Sequence, residues 1–396
     1  MILHVIPHLW SGAGNVVTRL CEAQRRRAPV AIVTAGQRGD HPDWSAYHAR
    51  LRRAGVEHHT IDFFHRDSAT YWTSVAALTD LVDRMRPSII HAHAGVPACA
   101  TAMVRAAAGP RVRLIGHMYS WDPNRPEWMN QQDAWGFTRC DRVIVSAHAY
   151  WTMLEERGVP AKKLVYVPWG LPLDDLTPRA TTRGERSRAP RIGFVGRIEP
   201  RKGQLTLVRA FARVVRAFPD ARLTLVGPVA DPDYAAAVRS AIDRHGLSHA
   251  VTLTGAVRDT ARHMRRWDLF VSLSSDEGQG LAVLEAMALG VPVVARPVAG
   301  ISDFLTDGET GMAVAGASAA SAATAMRDAL SNPARMAAIA TRARSLVERR
   351  YSWERTVQVL EGVYGRSSRV VNQPANLKDV DSVTPATKES AAERRS

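Results

Sequence analysis

The strongest constraint in this chain is an alternation that occurs twice: short β-branched, apolar runs separated by segments of helical periodicity. In the first 175 residues the runs fall at Ile2 to Ile6, Val30 to Thr34, His58 to Asp62, Ser88 to His91, Val112 to His117, Val143 to Ser146 and Leu164 to Pro168. Helical segments between them include Asn15 to Arg26, Thr73 to Met85 and Tyr150 to Arg157. Near-continuous apolar strands joined by helices predict a parallel sheet buried on both faces, with ligands outside the carboxyl ends of its strands. A second series begins at Arg191 with RIGFVG and continues through RLTLVG from Arg222, VTLTG from Val251, DLFVSLS from Asp268 and VPVVA from Val291.

Between the two series lies TPRATTRGERSRAP, residues 177–190, with two prolines, four arginines and no large apolar side chain, the composition of a linker. The expected organisation is therefore a doubly wound domain over 1–176, a linker over 177–190 and a second doubly wound domain over 191–350. A terminal helix follows over 351–365, with the aromatic residues Tyr351, Trp353 and Tyr364 in or beside it. The polar run 366–396 has almost nothing to bury and is expected to be a disordered tail. Two such domains face each other across a cleft.

With 396 residues and 46% apolar composition the chain can bury two cores, which excludes disorder throughout. The net charge of +14 favours polyanionic partners: nucleotide-sugar diphosphates, anionic lipid or nucleic acid. Nothing in the sequence matches a nucleic-acid recognition motif, so no nucleic-acid partner is expected. Three cysteines, Cys21, Cys99 and Cys140, form neither a C-x-x-C pair nor an even framework, which points away from disulfides and structural zinc and fits a reducing compartment. No apolar stretch reaches the roughly 18 residues of a membrane span. Any membrane contact is expected to be peripheral, from the cytoplasm on the inner face of the cell membrane. Eight of the ten tryptophans precede residue 181, three of them (Trp121, Trp128, Trp135) within Tyr119 to Phe137, beside basic residues that suit an anionic surface; core packing and saccharide stacking are the competing readings.

Two segments carry the chemistry. In SSDEGQGLAVLEAMALGV, Ser274 to Val291, a strand end passes through a glycine-flanked loop into a helix beginning near Leu281. Every residue from Leu281 to Leu289 is apolar except Glu285, so its carboxylate needs a partner, either an arginine or a ligand hydroxyl. Glu277 stands at the strand's carboxyl end, either capping the turn or facing a ligand. Gly278 and Gly280 permit close backbone approach, and the helix start offers free N–H groups to a phosphate. In GRIEPRKG, Gly196 to Gly203, Arg197 and Lys202 flank a glycine turn; they suit a diphosphate, or form a solvated basic loop.

Together these segments resemble the retaining glycosyltransferases of GT-B architecture known as family 4, in which a G-R-x(4)-K-G-like segment is followed about 80 residues later by E-x7-E. The surrounding stretches GISDFLTDGETGMAV and YSWERTVQVLEGVY are similar as well, and the likeness extends to about residue 365. It implies a GT-B α/β fold of two Rossmann-like domains with C-terminal helices. It also implies that Arg197 and Lys202 contact a donor diphosphate, that Glu277 meets the transferred sugar, that Glu285 holds the ribose, and that Gly280 and Leu281 meet the distal phosphate.

In the first domain the likeness is weaker. SGAGN, Ser11 to Asn15, looks like the family's glycine-rich loop, placing Gly12 and Gly14 near the phosphates or the acceptor, with Asn15 where an acidic residue is usual. GHMYS from Gly116 suggests His117 as a catalytic group near the donor sugar. HAHAG from His91 resembles a strand-end motif in which the strand is expected to stop between His91 and His93. Trp169 in Pro168-Trp169-Gly170 and Gln279 in Glu277-Gly278-Gln279-Gly280 depart from the family's pattern. Two D-x-D pairs, Asp231 with Asp233 and Asp379 with Asp381, read as a helix cap and as tail residues, and two fixed cations leave no need for a donor-site metal. The expected activity is thus metal-independent, cofactor-free sugar transfer from a nucleoside diphosphate to a saccharide or lipid-linked saccharide in surface or exopolysaccharide synthesis. A nucleotide-sugar epimerase of the same architecture, or a silent homologue acting as a partner protein, are the alternatives.

Overall fold

The computed structural model describes residues 1–9, 11–36, 42–63, 68–108, 112–119, 121, 126–178 and 189–365. The expected tail, Asp379 and Asp381, and most of the expected linker lie outside these residues. Seven strands form the first sheet: β1 (Ile2–Val5), β2 (Val30–Thr34), β3 (Glu57–Thr60), β4 (Ile89–His93), β5 (Arg113–Met118), β6 (Arg142–Val145) and β7 (Leu164–Tyr166). Six form the second: β8 (Arg191–Val195), β9 (Arg222–Val226), β10 (Val251–Gly255), β11 (Leu269–Ser272), β12 (Val293–Ala295) and β13 (Met312–Ala313). The orders are β3-β2-β1-β4-β5-β6-β7 and β10-β9-β8-β11-β12-β13. Every strand pairing is parallel. In each sheet the order reverses beside the first strand of its series, opening a crevice between β1 and β4 and between β8 and β11, where such sheets bind ligands.

Helices of the first series are α1 (Ser11–Arg25), α2 (Pro42–Arg53), α3 (Ser68–Met85), α4 (Gly95–Ala108), α5 (Glu127–Arg139) and α6 (His148–Glu156). The second series holds α7 (Gln204–Val214), α8 (Pro232–Arg244), α9 (Thr260–Met264), α10 (Leu281–Ala288), α11 (Ala319–Ser331), α12 (Pro333–Arg350) and α13 (Trp353–Tyr364). Their starts follow local chemistry. Asp231 caps α8 by accepting the Tyr234 N–H at 2.9 Å, so its D-x-D pairing with Asp233 is a helix start, as the sequence suggested. Ser318 and Ser352 cap α11 and α13 in the same way.

The last helix returns to the first domain. Leu360 and Val363 of α13 are buried with Val16, Leu20, Ile115 and Ile144, and the Tyr364 hydroxyl lies 2.7 Å from His91 Nδ1. The Thr356 hydroxyl donates to Pro168 O and accepts the Gly170 N–H, at 2.8 and 2.7 Å.

Two sequence expectations are corrected here. Gly12 and Gly14 lie in the first turn of α1 and not in a loop; glycine content suggested a loop, but the turn packs tightly, a Cβ on Gly14 falling 2.8 Å from the Leu9 carbonyl carbon. Strand β4 runs on through His93, because His93 pairs with His117 of β5, and both His91 and His93 are fully buried.

Candidate active site

The cleft between the two domains holds a cavity of about 490 Å³. Its second-domain wall comes from the ends of β8 and β11, which deliver Arg197, Arg201, Lys202, Glu277, Gly280, Leu281 and Glu285 to one place. The turn Pro200–Lys202 is closed by Gly203 at φ 72°, a left-handed conformation; a Cβ there would stand 2.4 Å from Leu273 O, so the turn docks against the β11 exit only with glycine. Gly280, at φ 79°, starts α10 in the same conformation, and a Cβ would meet Ile301 at 2.8 Å. The first turn of α10 thereby opens its N–H groups onto the cleft, the positive end of the helix dipole.

Charges in this wall are balanced before any ligand arrives. Lys202 Nζ lies 2.7 Å from Glu277 Oε1, which also accepts from Ser274 Oγ at 2.7 Å. Arg197 and Arg201 both bond Glu199, at 3.1 and 3.3 Å, and Arg201 reaches Asp276 at 3.4 Å. Burial works against the charge of Arg201, yet the carboxylates of Glu277, Glu199 and Asp276 outweigh it and shift its pKa upward. Burial moves Asp276 upward too, against the pull of Tyr150 and Arg201. Arg201 is not singled out by the sequence, because an arginine between Arg197 and Lys202 in a glycine-flanked turn reads as surface.

Glu285 lines the cleft from the second turn of α10. Burial raises its pKa to about 7, with Arg19 of the first domain pulling the other way. Among the described residues no hydrogen bond or ion pair holds its carboxylate.

The first domain supplies the facing wall: Gly12, Asn15, Tyr47, Tyr119, Ser146 and Trp169. The starts of α1 and α10 nearly touch, a Cβ on Gly12 falling 3.4 Å from Leu281 Cδ1. Asn15 accepts from Arg50 at 3.0 Å, and Arg50 is itself paired with Glu22 at 2.6 Å. Three first-domain groups hold the Glu277 loop. Tyr150 donates to Asp276 and to Glu277 O at 3.1 and 3.2 Å, Ser146 donates to Gly278 O at 3.3 Å, and Gln279 joins Trp169. That last contact is reciprocal: the Gln279 amide donates to Trp169 O and accepts the Trp169 N–H, both at 2.6 Å, with both residues buried. The two departures from the family's pattern are therefore bonded to one another.

His117 does not reach the cleft. It is fully buried behind Tyr119 and Trp169, whose near-parallel rings lie 4.4 and 4.6 Å from its own and 5.9 Å from each other, and burial lowers its pKa to about 3. The sequence pointed to it as a strand-end residue; the aromatic slab in front of it makes Tyr119 and Trp169, not His117, the cleft surface.

Comparison with solved structures agrees with this architecture. The Anabaena protein HepE, crystallised with UDP and glucose, superposes at a TM-score of 0.77 with 21% identity, covering 92% of this chain and 98% of that one. Sucrose-phosphate synthase from Thermosynechococcus elongatus gives 0.76 and 22%, again over 92% of this chain and 98% of its own. Two family models divide the sequence between them: "Glycosyltransferase Family 4" matches residues 10–175 and "Glycosyl transferases group 1" matches 189–332. The chain has the GT-B glycosyltransferase fold. Among curated relatives, this GT-B chain is 34% identical over 227 residues to a D-inositol 3-phosphate glycosyltransferase of Actinosynnema mirum, 54% of each protein. It is 32% identical over 222 residues to a GDP-mannose-dependent alpha-(1-6)-phosphatidylinositol monomannoside mannosyltransferase of Mycolicibacterium smegmatis, 52% of this chain and 58% of the relative. The match thus spans a little over half the length of these relatives.

Proposed function

We propose that this protein is a retaining glycosyltransferase that moves a sugar from a nucleoside diphosphate to a hydroxyl of a saccharide or lipid-linked saccharide acceptor. One observation carries the reading: Arg197, Arg201, Lys202 and the open start of α10 surround one cavity, with Glu277 and Glu285 beside them. Cations and helix N–H groups suit a diphosphate, and flanking carboxylates suit sugar and ribose hydroxyls. Relatives named for inositol-phosphate, phosphatidylinositol-mannoside and GDP-mannose chemistry are consistent with a nucleotide-sugar donor and a polyol or glycolipid acceptor.

In the reaction, the bond from the anomeric carbon to the diphosphate oxygen breaks and its electrons pass to the diphosphate. The acceptor oxygen bonds the same face of that carbon, and its proton passes to the departing phosphate. Lys202, Arg197 and Arg201 stabilise the charge that develops on the leaving group, and the α10 start receives the distal phosphate. Tyr119 presents aromatic surface to the cleft, with Trp169 packed beside it. The direct test is incubation of the purified chain with UDP-, GDP- and ADP-sugars, with and without saccharide acceptors. A glycosylated product of retained anomeric configuration is expected, and donor epimerised without transfer would overturn the reading.

Glu285 gives the donor complex a pH dependence. A carboxylate accepts two hydroxyl donors, whereas its protonated form does not. With a pKa raised to about 7 in the free protein, Glu285 takes up a proton as pH falls, and donor affinity falls with it. Calorimetry should find tighter nucleotide-sugar binding at about pH 8 than at about pH 6, by up to roughly tenfold, which is one pKa unit of linkage. Glu285→Gln should flatten the dependence.

The membrane contact rests on α5. Its solvent-facing stripe carries Trp128 and Trp135, 60% and 40% exposed, and Arg139, which stacks over Trp135 at 5.0 Å. Lys163 bonds Thr138 O at the end of the helix, and Arg142 and Lys162 lie beside it. Exposed indoles beside clustered cations fit the interface of an anionic bilayer on the cytoplasmic side. No helix among the described residues is long and apolar enough to cross a membrane. Flotation with anionic vesicles should recover the protein, and Trp128→Ser with Trp135→Ser should reduce the bound fraction several-fold.

A further inference from the structure

The sequence predicts no metal, neither a cysteine-held structural zinc nor an ion at the diphosphate. A separate cluster lies deeper in the first domain, where register places four histidines on one face of the sheet. His4 of β1 pairs with His91 of β4, and His93 of β4 pairs with His117 of β5; His91 and His93 are two residues apart and so point the same way. All four are fully buried.

Three of them are arranged about a common point. His4 Nε2 bonds Gln24 Oε1 at 2.7 Å, His91 Nδ1 bonds the Tyr364 hydroxyl at 2.7 Å, and His93 Nδ1 bonds the Tyr119 hydroxyl at 2.6 Å. Each ring is thus held from outside by one nitrogen, leaving the other turned inward: His4 Nδ1, His91 Nε2 and His93 Nε2. Ligand atoms of the three residues lie within 4.8 Å of one another. His4 Nδ1 and His93 Nε2 share a hydrogen bond of 2.8 Å, but His91 Nε2 is buried with no hydrogen-bond partner among the described residues, where a buried polar atom ordinarily has one.

We propose that His4, His91 and His93 form a binding site for one divalent transition-metal ion of the zinc type. Imidazole nitrogens suit such ions, and outer hydrogen bonds from the second ring nitrogen are the usual means of fixing a ligand's orientation. Because Gln24 Oε1 only accepts, His4 carries its proton on Nε2, and Nδ1 already presents a lone pair. His93 must shift its proton from Nε2 to Nδ1, where it donates to the Tyr119 oxygen; no net proton is lost. Tetrahedral Zn–N bonds of about 2.0–2.1 Å set nitrogens about 3.3–3.4 Å apart, so His4 and His93 separate by roughly half an ångström. The fourth position falls to water or to His117, whose ring nitrogens have no hydrogen-bond partner among the described residues and whose ring lies 5.5 Å from that of His91. The site would brace β1, β4, α1 and α13 beneath the cleft wall and does not depend on the transferase reading.

The test is expression of the untagged full chain in cobalt-supplemented minimal medium, removal of loosely held metal with a chelator, and measurement of metal content and visible absorption. About one Co²⁺ per chain with the strong d–d bands of a tetrahedral nitrogen complex is expected, displaced by Zn²⁺. His91→Asn should lose both ion and bands. Tyr364→Phe keeps all three ligands and removes one outer bond, so it should retain the ion about 10–100-fold less tightly against the chelator. A wild-type chain that emerges metal-free, weak octahedral bands alone, or unchanged retention in His91→Asn or in Tyr364→Phe would overturn the proposal.

Discussion

Replacing Lys202 by alanine should lower kcat/KM by roughly 100- to 1,000-fold, the range found when one preorganised donor to a developing negative charge is deleted. On the proposed reading the lysine acts twice in succession. Before a donor binds, it neutralises Glu277 across 2.7 Å; once a diphosphate enters, the same ammonium can turn to the leaving group and release Glu277 to a sugar hydroxyl. Its removal would take charge from the transition state, and it leaves a carboxylate in the cleft that among the described residues keeps the Ser274 hydrogen bond and the longer-range attraction of Arg201. The stability cost is smaller, about 1–2 kcal/mol, below the 3–5 kcal/mol of breaking a deeply buried pair because the cleft admits water. Steady-state kinetics alongside a thermal melt separates the two effects. Full turnover in Lys202→Ala would remove the lysine from the diphosphate site.

The largest loss of stability is expected at Gln279. Its amide fills both backbone valences of Trp169 in a buried contact between the two domains. Gln279→Ala leaves an N–H and a C=O unpaired, each at about 1–3 kcal/mol, so about 2–6 kcal/mol is lost in all. Gln279→Glu keeps the shape but sets a carboxylate oxygen against the Trp169 carbonyl, and should be worse than alanine. Urea denaturation measures both; equal stability of the glutamate variant and the parent would contradict the bonding described.

Much of the fold was legible in the sequence for a physical reason. A parallel strand buried on both faces must be apolar nearly throughout, and RIGFVG, RLTLVG and DLFVSLS declare themselves by that alone. That Glu285, Arg197 and Lys202 belong together was legible as well, because a carboxylate within LAVLEAMAL and two cations at a glycine turn all call for partners, and the fold brings them to one cavity. What stayed hidden depended on partners distant in the chain. SGAGN reads as loop by glycine content, yet it starts a helix, and its glycine at 14 answers to the close approach of Leu9 and Tyr47. The extent of β4 depended on whether His93 finds a neighbour in β5, which only register decides. His117 resembles a strand-end site residue until Trp169, 52 positions later, covers it. Gln279 and Trp169 each looked like an isolated departure until the fold joined them.

The return of α13 to the first domain also bears on how the protein is made. Tyr364 completes the packing over His91, and Thr356 secures the exit from β7, although both are synthesised after the entire second domain. As the polypeptide leaves the ribosome, its amino-terminal half must wait, incompletely closed, for the last helix to be translated. A nascent chain stalled before residue 353 should therefore expose that half to protease, whereas one released after residue 365 should not.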